Sequence, residues 1–412
     1  MKSEELHKAI ATEHDPTCCQ ICGKDNHDVV YEGFQEAGPG LGRIPIRLLL
    51  CSFCGFLYQN PRLSRQQLEN YYSAEAGASG STFHLTGKES RFDSINTRRI
   101  KFFKSNYQHD NPVDPYQILD VGCSSGDFLA SLAAPGMRLF GLEPSRYAVQ
   151  EARKKGIDII QGELENHSFP TAEFDAVFCH MVLEHVHDIN TAMTALRALL
   201  KPSGKLFLEV PDSTRPILQM GEFFSFEHLS HFTLETLTNL LAKHGLKIID
   251  AVADENDPRL RVCAILSKKL SVVPAKPDSL FKTREVLANY RENSKSLRSS
   301  VYKRLDSMAK AWRAQKRRVA IYGAGFHTQD LLGSAHFGDC ICAVLDSDPN
   351  KIGNRFLSWA VDSPQALDEL SLDVVVISSR AFQDEIYLQL KPYQDRLGFE
   401  LIKLYDESHN EL

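Results

Sequence analysis

The stretch ILDVGCSSGDFL, residues 118–129, restricts the fold more than any other part of the chain. An apolar run breaks after Asp120 into a turn bounded by Gly122 and Gly126, then resumes as a helix. Strands that feed helices through short turns bury both faces, and a parallel sheet covered by helices allows this. The runs QILDVG, RLFGLE, DIIQG, FDAVFC and GKLFLEV recur between residues 117 and 210, with helix-length segments between them. They predict a mostly parallel, doubly wound α/β sheet. LKIIDAVA and RVCAILS follow without an intervening helix, which predicts an antiparallel pair at one sheet edge.

The same turn limits the ligand. A dinucleotide fingerprint needs three glycines, because a pyrophosphate approaches bare backbone at the helix N-terminus. Here Ser124 stands where the middle glycine would be, and Asp120, just before the turn, repels phosphate. A phosphate-free cation fits better, and S-adenosylmethionine carries an ammonium and a sulfonium. Asp120 is expected to attract the methionyl end, while Gly122 and Gly126 let the backbone come close. Glu143, at the tip of the second strand, is placed to accept the ribose hydroxyls. Glu163, beside Gly162, is placed to read the adenine amino group, and His180, ending the fourth strand, lies at the same sheet edge.

Four of the 10 cysteines form two tight pairs, CQICG (Cys19, Cys22) and CSFCG (Cys51, Cys54). Thiolates at this spacing suit tetrahedral zinc in a closed, structural site, and each trailing glycine lets the backbone wrap round the sulfurs. Cys18 adjoins the first pair, and the two-residue gap favours Cys19 as the ligand.

These signals divide the chain into four regions. Residues 1–80 form the zinc-binding module and end in a small-residue run, SAEAGASGS, that reads as a loop. Residues 81–270 form the cofactor-binding sheet. Residues 271–315 are a linker and a long amphipathic helix, with Val286, Leu287, Tyr290, Leu297, Val301, Leu305, Met308 and Trp312 on one face. Residues 316–412 form a Rossmann-like α/β domain with strands RVAIYG, CAVLD and DVVVISS. Its turn has Gly323 and Gly325 but Thr328 at the third glycine position, and Asp346 ends the next strand where a ribose-binding acid would stand. This is half a dinucleotide fingerprint. A role in holding a substrate phosphate and a purely structural or dimerising role both remain open.

The chain's 47 Lys and Arg against 53 Asp and Glu give a net charge of −6, opposite to that of a protein living on phosphate backbones. Nucleic acid is therefore not the expected partner. No run is long enough to span a bilayer, and the polar start MKSEELHKAIATEHD lacks a secretory core, so a cytoplasmic location is expected. No motif sets the oligomeric state.

The motifs LDVGCSSG, LEPS, GELE and HMVLEHV resemble, in order and spacing, the class I S-adenosylmethionine-dependent methyltransferases. That resemblance implies cofactor roles for Asp120, Gly122, Gly126 and Glu143, and less directly for Glu163 and His180. Beyond the fifth strand, FEHLSHF gathers Glu227, His228 and His231 among aromatics. A histidine there suits removal of a proton from the methyl acceptor. The alternative is that Glu227 and His231 form a surface pair four apart while His228 is packed.

Taken with the flanking regions, the chain resembles the sugar-nucleotide C-methyltransferases, which methylate the carbon next to a ketone in a nucleotide-linked deoxysugar. The resemblance implies a nucleotide-sugar substrate, His228 as base and Glu227 as the adjoining acid. Ser225 and Phe226 depart from the Tyr-His that opens this family's segment, so O- or N-methylation of a sugar remains open. Ribosomal RNA methyltransferases that carry a zinc module are the rival resemblance.

Overall fold

The computed structural model describes residues 14–15, 18–36, 43–68, 91–107, 114–217, 223–253, 257–325, 328–329, 331–332, 337–349, 351–379 and 382–405. The small-residue run at 73–81 lies outside them. The chain divides into two compact units, residues 1–33, 45–216 and 226–288, and residues 34–44, 217–225 and 289–412.

The N-terminal strands are β1 (His14–Asp15), β2 (His27–Glu36), β3 (Arg43–Cys51), β4 (Leu57–Gln59) and β5 (Arg62–Leu63). The helix Arg91–Asn106 then leads into β6 (Tyr116–Val121), β7 (Met137–Glu143), β8 (Asp158–Gln161), β9 (Phe174–His180) and β10 (Leu200–Pro211). The short β11 (Ser230–His231) precedes β12 (Leu246–Ala253) and β13 (Arg259–Leu266).

Seven of these strands form one sheet in the order β12-β13-β10-β9-β6-β7-β8. β6 pairs in parallel with β7 and β9, while β13 runs antiparallel to both β10 and β12. All seven expected strands are present, and the antiparallel pair lies at the expected edge. β6 is buried almost throughout because it lies mid-sheet, with only Gln117 partly exposed. The strand order reverses direction beside β6, so the carboxyl ends of β6, β7 and β9 open onto the crevice where such sheets take ligands.

The cysteine-bearing strands share buried packing with the large sheet. Cys19, Ile21, Cys51, Cys54, Phe56 and Tyr58 belong to the same buried cluster as Val177, Leu208, Leu237 and Leu240 of the large sheet and its helices. Gln20, between the first two cysteines, reinforces the junction. Its side chain donates to His187 O at 2.9 Å and accepts from Ile189 N at 3.0 Å, while its carbonyl accepts from Asn190 Nδ2 and Lys243 Nζ. The helix Leu234–Lys243 has Thr233 as N-cap, in a reciprocal capping box with Thr236, and Gly245 in left-handed conformation beyond its end.

The helix Pro277–Ala314 is longer than the apolar periodicity alone marks. In the second unit it buries Tyr290, Leu297, Val301, Leu305 and Trp312. That unit continues with β14 (Val319–Tyr322), β15 (Ile341–Leu345), β16 (Arg355–Phe356), β17 (Trp359–Asp362), β18 (Val374–Ile377) and β19 (Glu400–Lys403). Their order is β16-β17-β15-β14-β18-β19, parallel except at β16. Among the described residues no helix is long and apolar enough to cross a membrane.

A buried charge network closes the carboxyl end of β10. Glu209 is fully buried and bonds Arg99 Nε at 3.0 Å and Arg261 Nε at 2.5 Å. Asp257 bonds Arg261 and Arg259, and Arg98 approaches it at 3.1 Å. Burial pushes the Glu209 carboxyl up, but Arg99, His180 and Arg261 outweigh it and hold the group down at about 2. Removing one charge from such a network leaves its partners unpaired in low dielectric. Glu209→Gln is therefore expected to destabilise the protein by about 3–5 kcal/mol in urea unfolding. A loss under about 1 kcal/mol would show that the arginines relax to solvent.

Candidate cofactor and acceptor site

The turn after β6 is built by backbone demands. Gly122 and Gly126 have φ of 71° and 75°, and Ser124, where a third glycine would be free of strain, is also left-handed at 49°. A Cβ on Gly122 would lie 2.4 Å from Val182 Cγ2, and one on Gly126 would lie 2.3 Å from Ile157 Cδ1. The space these glycines leave is therefore filled by protein. They are needed for turn conformation and close packing.

Two carboxylates face this turn. Glu143, ending β7, accepts Ser124 N on Oε2 and Ser145 N on Oε1, both at 2.9 Å. Each oxygen retains a second lone pair, which is what a pair of ribose hydroxyls requires. Burial pushes the Glu143 carboxyl up, opposed by the Ser145 and Ser124 N–H groups. Asp120 is buried, with no hydrogen-bond partner on Oδ1. Burial raises it to about 7; Arg99 opposes the shift, and Glu143 and Glu209 add to it. A buried carboxylate lacking a partner favours an arriving cation. The two acids thus match the cationic and hydroxyl ends of S-adenosylmethionine, and among the described residues neither forms an ion pair with a lysine or arginine.

Glu163 follows β8, half-buried and paired with Arg65 at 3.2 Å. His180 ends β9, its ring edge-on to Phe128 with centroids 4.8 Å apart. Burial, with Arg99 second, pushes His180 well below the usual imidazole range, and its Nδ1 has no partner.

The loop after β9 connects this turn to the FEHLSHF segment. Val182 packs at Gly122, and two residues on, Glu184 O accepts Leu229 N at 2.8 Å and Ser230 N at 3.2 Å. On its other side the segment joins the cysteine-bearing sheet. β11 pairs antiparallel with β4, Ser230 opposite Tyr58 and His231 opposite Leu57, and Gln59 N donates to Leu229 O. Main chain therefore fixes residues 229–231 from two sides. His231 is a buried strand residue, so it does not belong to a surface pair. His228 is partly exposed, with Nδ1 unpartnered. Its ring stands edge-on to His185 at 4.7 Å, and His185 Nδ1 lies 3.1 Å from Glu227 O. Burial, His185 and His231 push His228 well below 6.5.

The four cysteines converge. Sγ atoms of Cys19 and Cys54 are 3.4 Å apart, those of Cys22 and Cys51 3.5 Å, and all four lie within 4.8 Å of one another. Thiolates around tetrahedral zinc stand about 3.8 Å apart. Both turns have the same frame: Gly23 N and Gly55 N donate to Cys19 O and Cys51 O, and both glycines have φ of 74°. Hydrogen bonding between Cys19 and Cys51 pushes Cys51 down and Cys19 up. Cys18 is exposed and outside the cluster. The site could hold a zinc ion.

In the second unit Asp346 is already engaged. It accepts Ala324 N at 2.8 Å and Asp348 N at 2.9 Å and pairs with Lys351. A Cβ on Gly323 would meet Ser378 Oγ at 2.7 Å, whereas the space beside Gly325 is open. Thr328 Oγ1 bonds Ser378 Oγ, so the residue at the third glycine position latches the turn to the end of β18.

Sequence reasoning missed Glu184, Gln20 and the Arg99–Glu209–Arg261 network. The signal for the last was present: PRLRV places two arginines in an otherwise buried strand, which demands acids nearby.

The profile of a methyltransferase domain matches residues 90–251, and one described as C2185-like, N-terminal, matches residues 315–394. The C-methyltransferase NovU of Streptomyces niveus is 25% identical over 256 residues, 56% of this chain and 56% of that protein. The mitochondrial ubiquinone biosynthesis O-methyltransferase of Homo sapiens is 29% identical over 183 residues, 38% of this chain and 50% of that protein. The chain thus spans about half the length of these curated relatives. A solved S-adenosylmethionine dependent methyltransferase from Mesorhizobium loti is 19% identical, with TM-score 0.34 over 40% of this chain and 95% of that one. With the sheet order and the carboxylate-flanked turn, the match at residues 90–251 shows that the chain carries a class I S-adenosylmethionine-dependent methyltransferase domain of Rossmann-like α/β fold.

Proposed function

We propose that this chain methylates a nucleotide-linked keto-deoxysugar at the carbon next to its ketone, with His228 as the base. The observation that carries this reading is the fixing of residues 229–231 between β4 and Glu184 O, beside a His228 that is partly exposed while its buried Nδ1 has no partner. The likeness to a C-methyltransferase over 56% of the chain supports transfer to carbon. A second reading, transfer to oxygen, draws on the likeness to ubiquinone biosynthesis O-methyltransferases, and the same base would serve it. We also read Gly323 and Gly325 as a phosphate-holding turn of the second unit. Asp346, already engaged by two N–H groups and Lys351, then acts to brace that turn.

When bound, S-adenosylmethionine supplies an electrophilic methyl on a positively charged sulfur. Asp120 and Glu143 would hold its ammonium and ribose ends. His228 removes the proton beside the ketone, and the orientation of the two reactants does the rest of the work. The four cysteines would hold a structural zinc, whose role is to fix the strands against which β11 pairs.

Three outcomes are expected. A bound cation favours the ionised form of Asp120, whose carboxyl is raised to about 7. S-adenosylmethionine affinity in calorimetry should therefore rise roughly eightfold from pH 6 to 7.5 and lose this dependence in Asp120→Asn. An identical pH dependence in the variant would place the cation elsewhere. With keto-deoxysugar nucleotides and labelled methyl donor, His228→Ala should lower turnover by about 10²–10⁴ and leave cofactor affinity unchanged. Full turnover in that variant would remove His228 from the chemistry. Metal analysis of protein purified without chelator should find about one zinc per chain. Its absence from folded protein would refute the zinc site.

A further inference from the structure

Glu184 is the least explained buried group in the first unit. It is only 1% exposed, and neither carboxylate oxygen has a hydrogen-bond partner. Its backbone carbonyl accepts Leu229 N and Ser230 N, so its position is locked to the chain that carries His228. Its Oε1 is 3.9 Å from His185 Nε2, and one donor atom from each of Glu184, His185 and His228 lies within 4.8 Å of the other two. His228 is partly exposed, whereas Glu184 is closed to a substrate.

A buried acid without partners must be neutral or stand beside a cation. The groups that can become cations next to it are the two imidazoles. From the reading of His228 as base, on which this inference rests, we propose that Glu184 is its positioning residue, a buried carboxylate that holds the imidazolium formed when His228 takes the substrate proton. The substrate's carbon–hydrogen bond breaks, its electron pair stays as the enolate, and the proton passes to His228. The enolate pair then forms the new carbon–carbon bond to the donor methyl, whose former bonding electrons stay with sulfur. The proton leaves His228 for solvent.

The arrangement answers a difficulty in the site itself. Burial and two neighbouring histidines weaken His228 as a base. A carboxylate within 4.8 Å in a desolvated site raises an imidazole's proton affinity by about tenfold or more. Burial raises the Glu184 carboxyl itself to about 8, so its ionisation falls near neutral pH. The titratable groups around the pair are His185 on the same loop, Glu227 and His231 on the FEHLSHF segment, and Cys179 on β9. Glu209 of β10, Arg99 of the helix Arg91–Asn106 and Arg259 of β13 act on Glu184 from the sheet side.

The test is a histidine NMR titration of the full chain, without ligand, from pH 4 to 9, with His228 assigned by the signal lost in His228→Asn. Because Glu184 ionises near 8, the His228 signal is expected to show, besides its own midpoint, a second inflection near pH 8 that is lost in Glu184→Gln and kept in Glu184→Asp. A His228 signal with no such inflection, or one that persists in Glu184→Gln, would overturn the proposal. So would a second metal equivalent, beyond the cysteine site, that disappears in Glu184→Gln, because the carboxylate would then serve a cation. Should Glu184→Gln fail to fold, carbon-13 glutamate in the unmodified chain decides. Glu184 and His228 must then titrate in shared steps, and independent single steps overturn the pairing. Absence of turnover by the unmodified enzyme would sink the sugar methylation reading while leaving the titration to decide on Glu184.

Discussion

Glu143 is the group on which the site depends. Its two oxygens take one N–H from the turn after β6 and one from the turn after β7, tying together the loops at adjacent strand ends. That tie also holds Ser124 in its left-handed backbone conformation. Asp120 stands beside it, buried and with one oxygen unpartnered. Two acids held this close in low dielectric are costly unless a cation or hydroxyl donors arrive. The fold therefore stores a demand for a positively charged, hydroxylated ligand at the place where the strand order reverses.

A second consequence concerns how the acceptor side is assembled. The FEHLSHF segment belongs in sequence to the large sheet, yet its strand residues pair with β4 of the cysteine-bearing region. Gln20 ties the same region to the loop and helix that follow Glu184. The cysteine pairs share a hydrophobic core with the methyltransferase sheet. A metal held by Cys19, Cys22, Cys51 and Cys54 would thus act on chemistry through backbone position.

The sheet was legible because its strands are short apolar runs, some ended by a glycine or an acid as in QILDVG and RLFGLE, separated by helix-length segments. The caps of the helix Leu234–Lys243, Thr233 and Gly245, are local in sequence. The cysteine cluster could be read because metal-ligand spacing is a chain-level property. What could not be read depends on partners distant in sequence. The close packing of Val182 at Gly122 and the β11–β4 pairing join residues far apart in the chain. Glu184, inside the LEHV motif, reads in sequence as one of many acids, and only its burial without a partner marks it out.

The most direct measurement is a crystal structure of the chain grown with S-adenosylhomocysteine. The account expects the ribose hydroxyls on the free lone pairs of Glu143 and the amino acid end beside Asp120, above the turn at Gly122–Gly126. A vacant pocket at saturating ligand, or one that takes a pyrophosphate there instead, would contradict it.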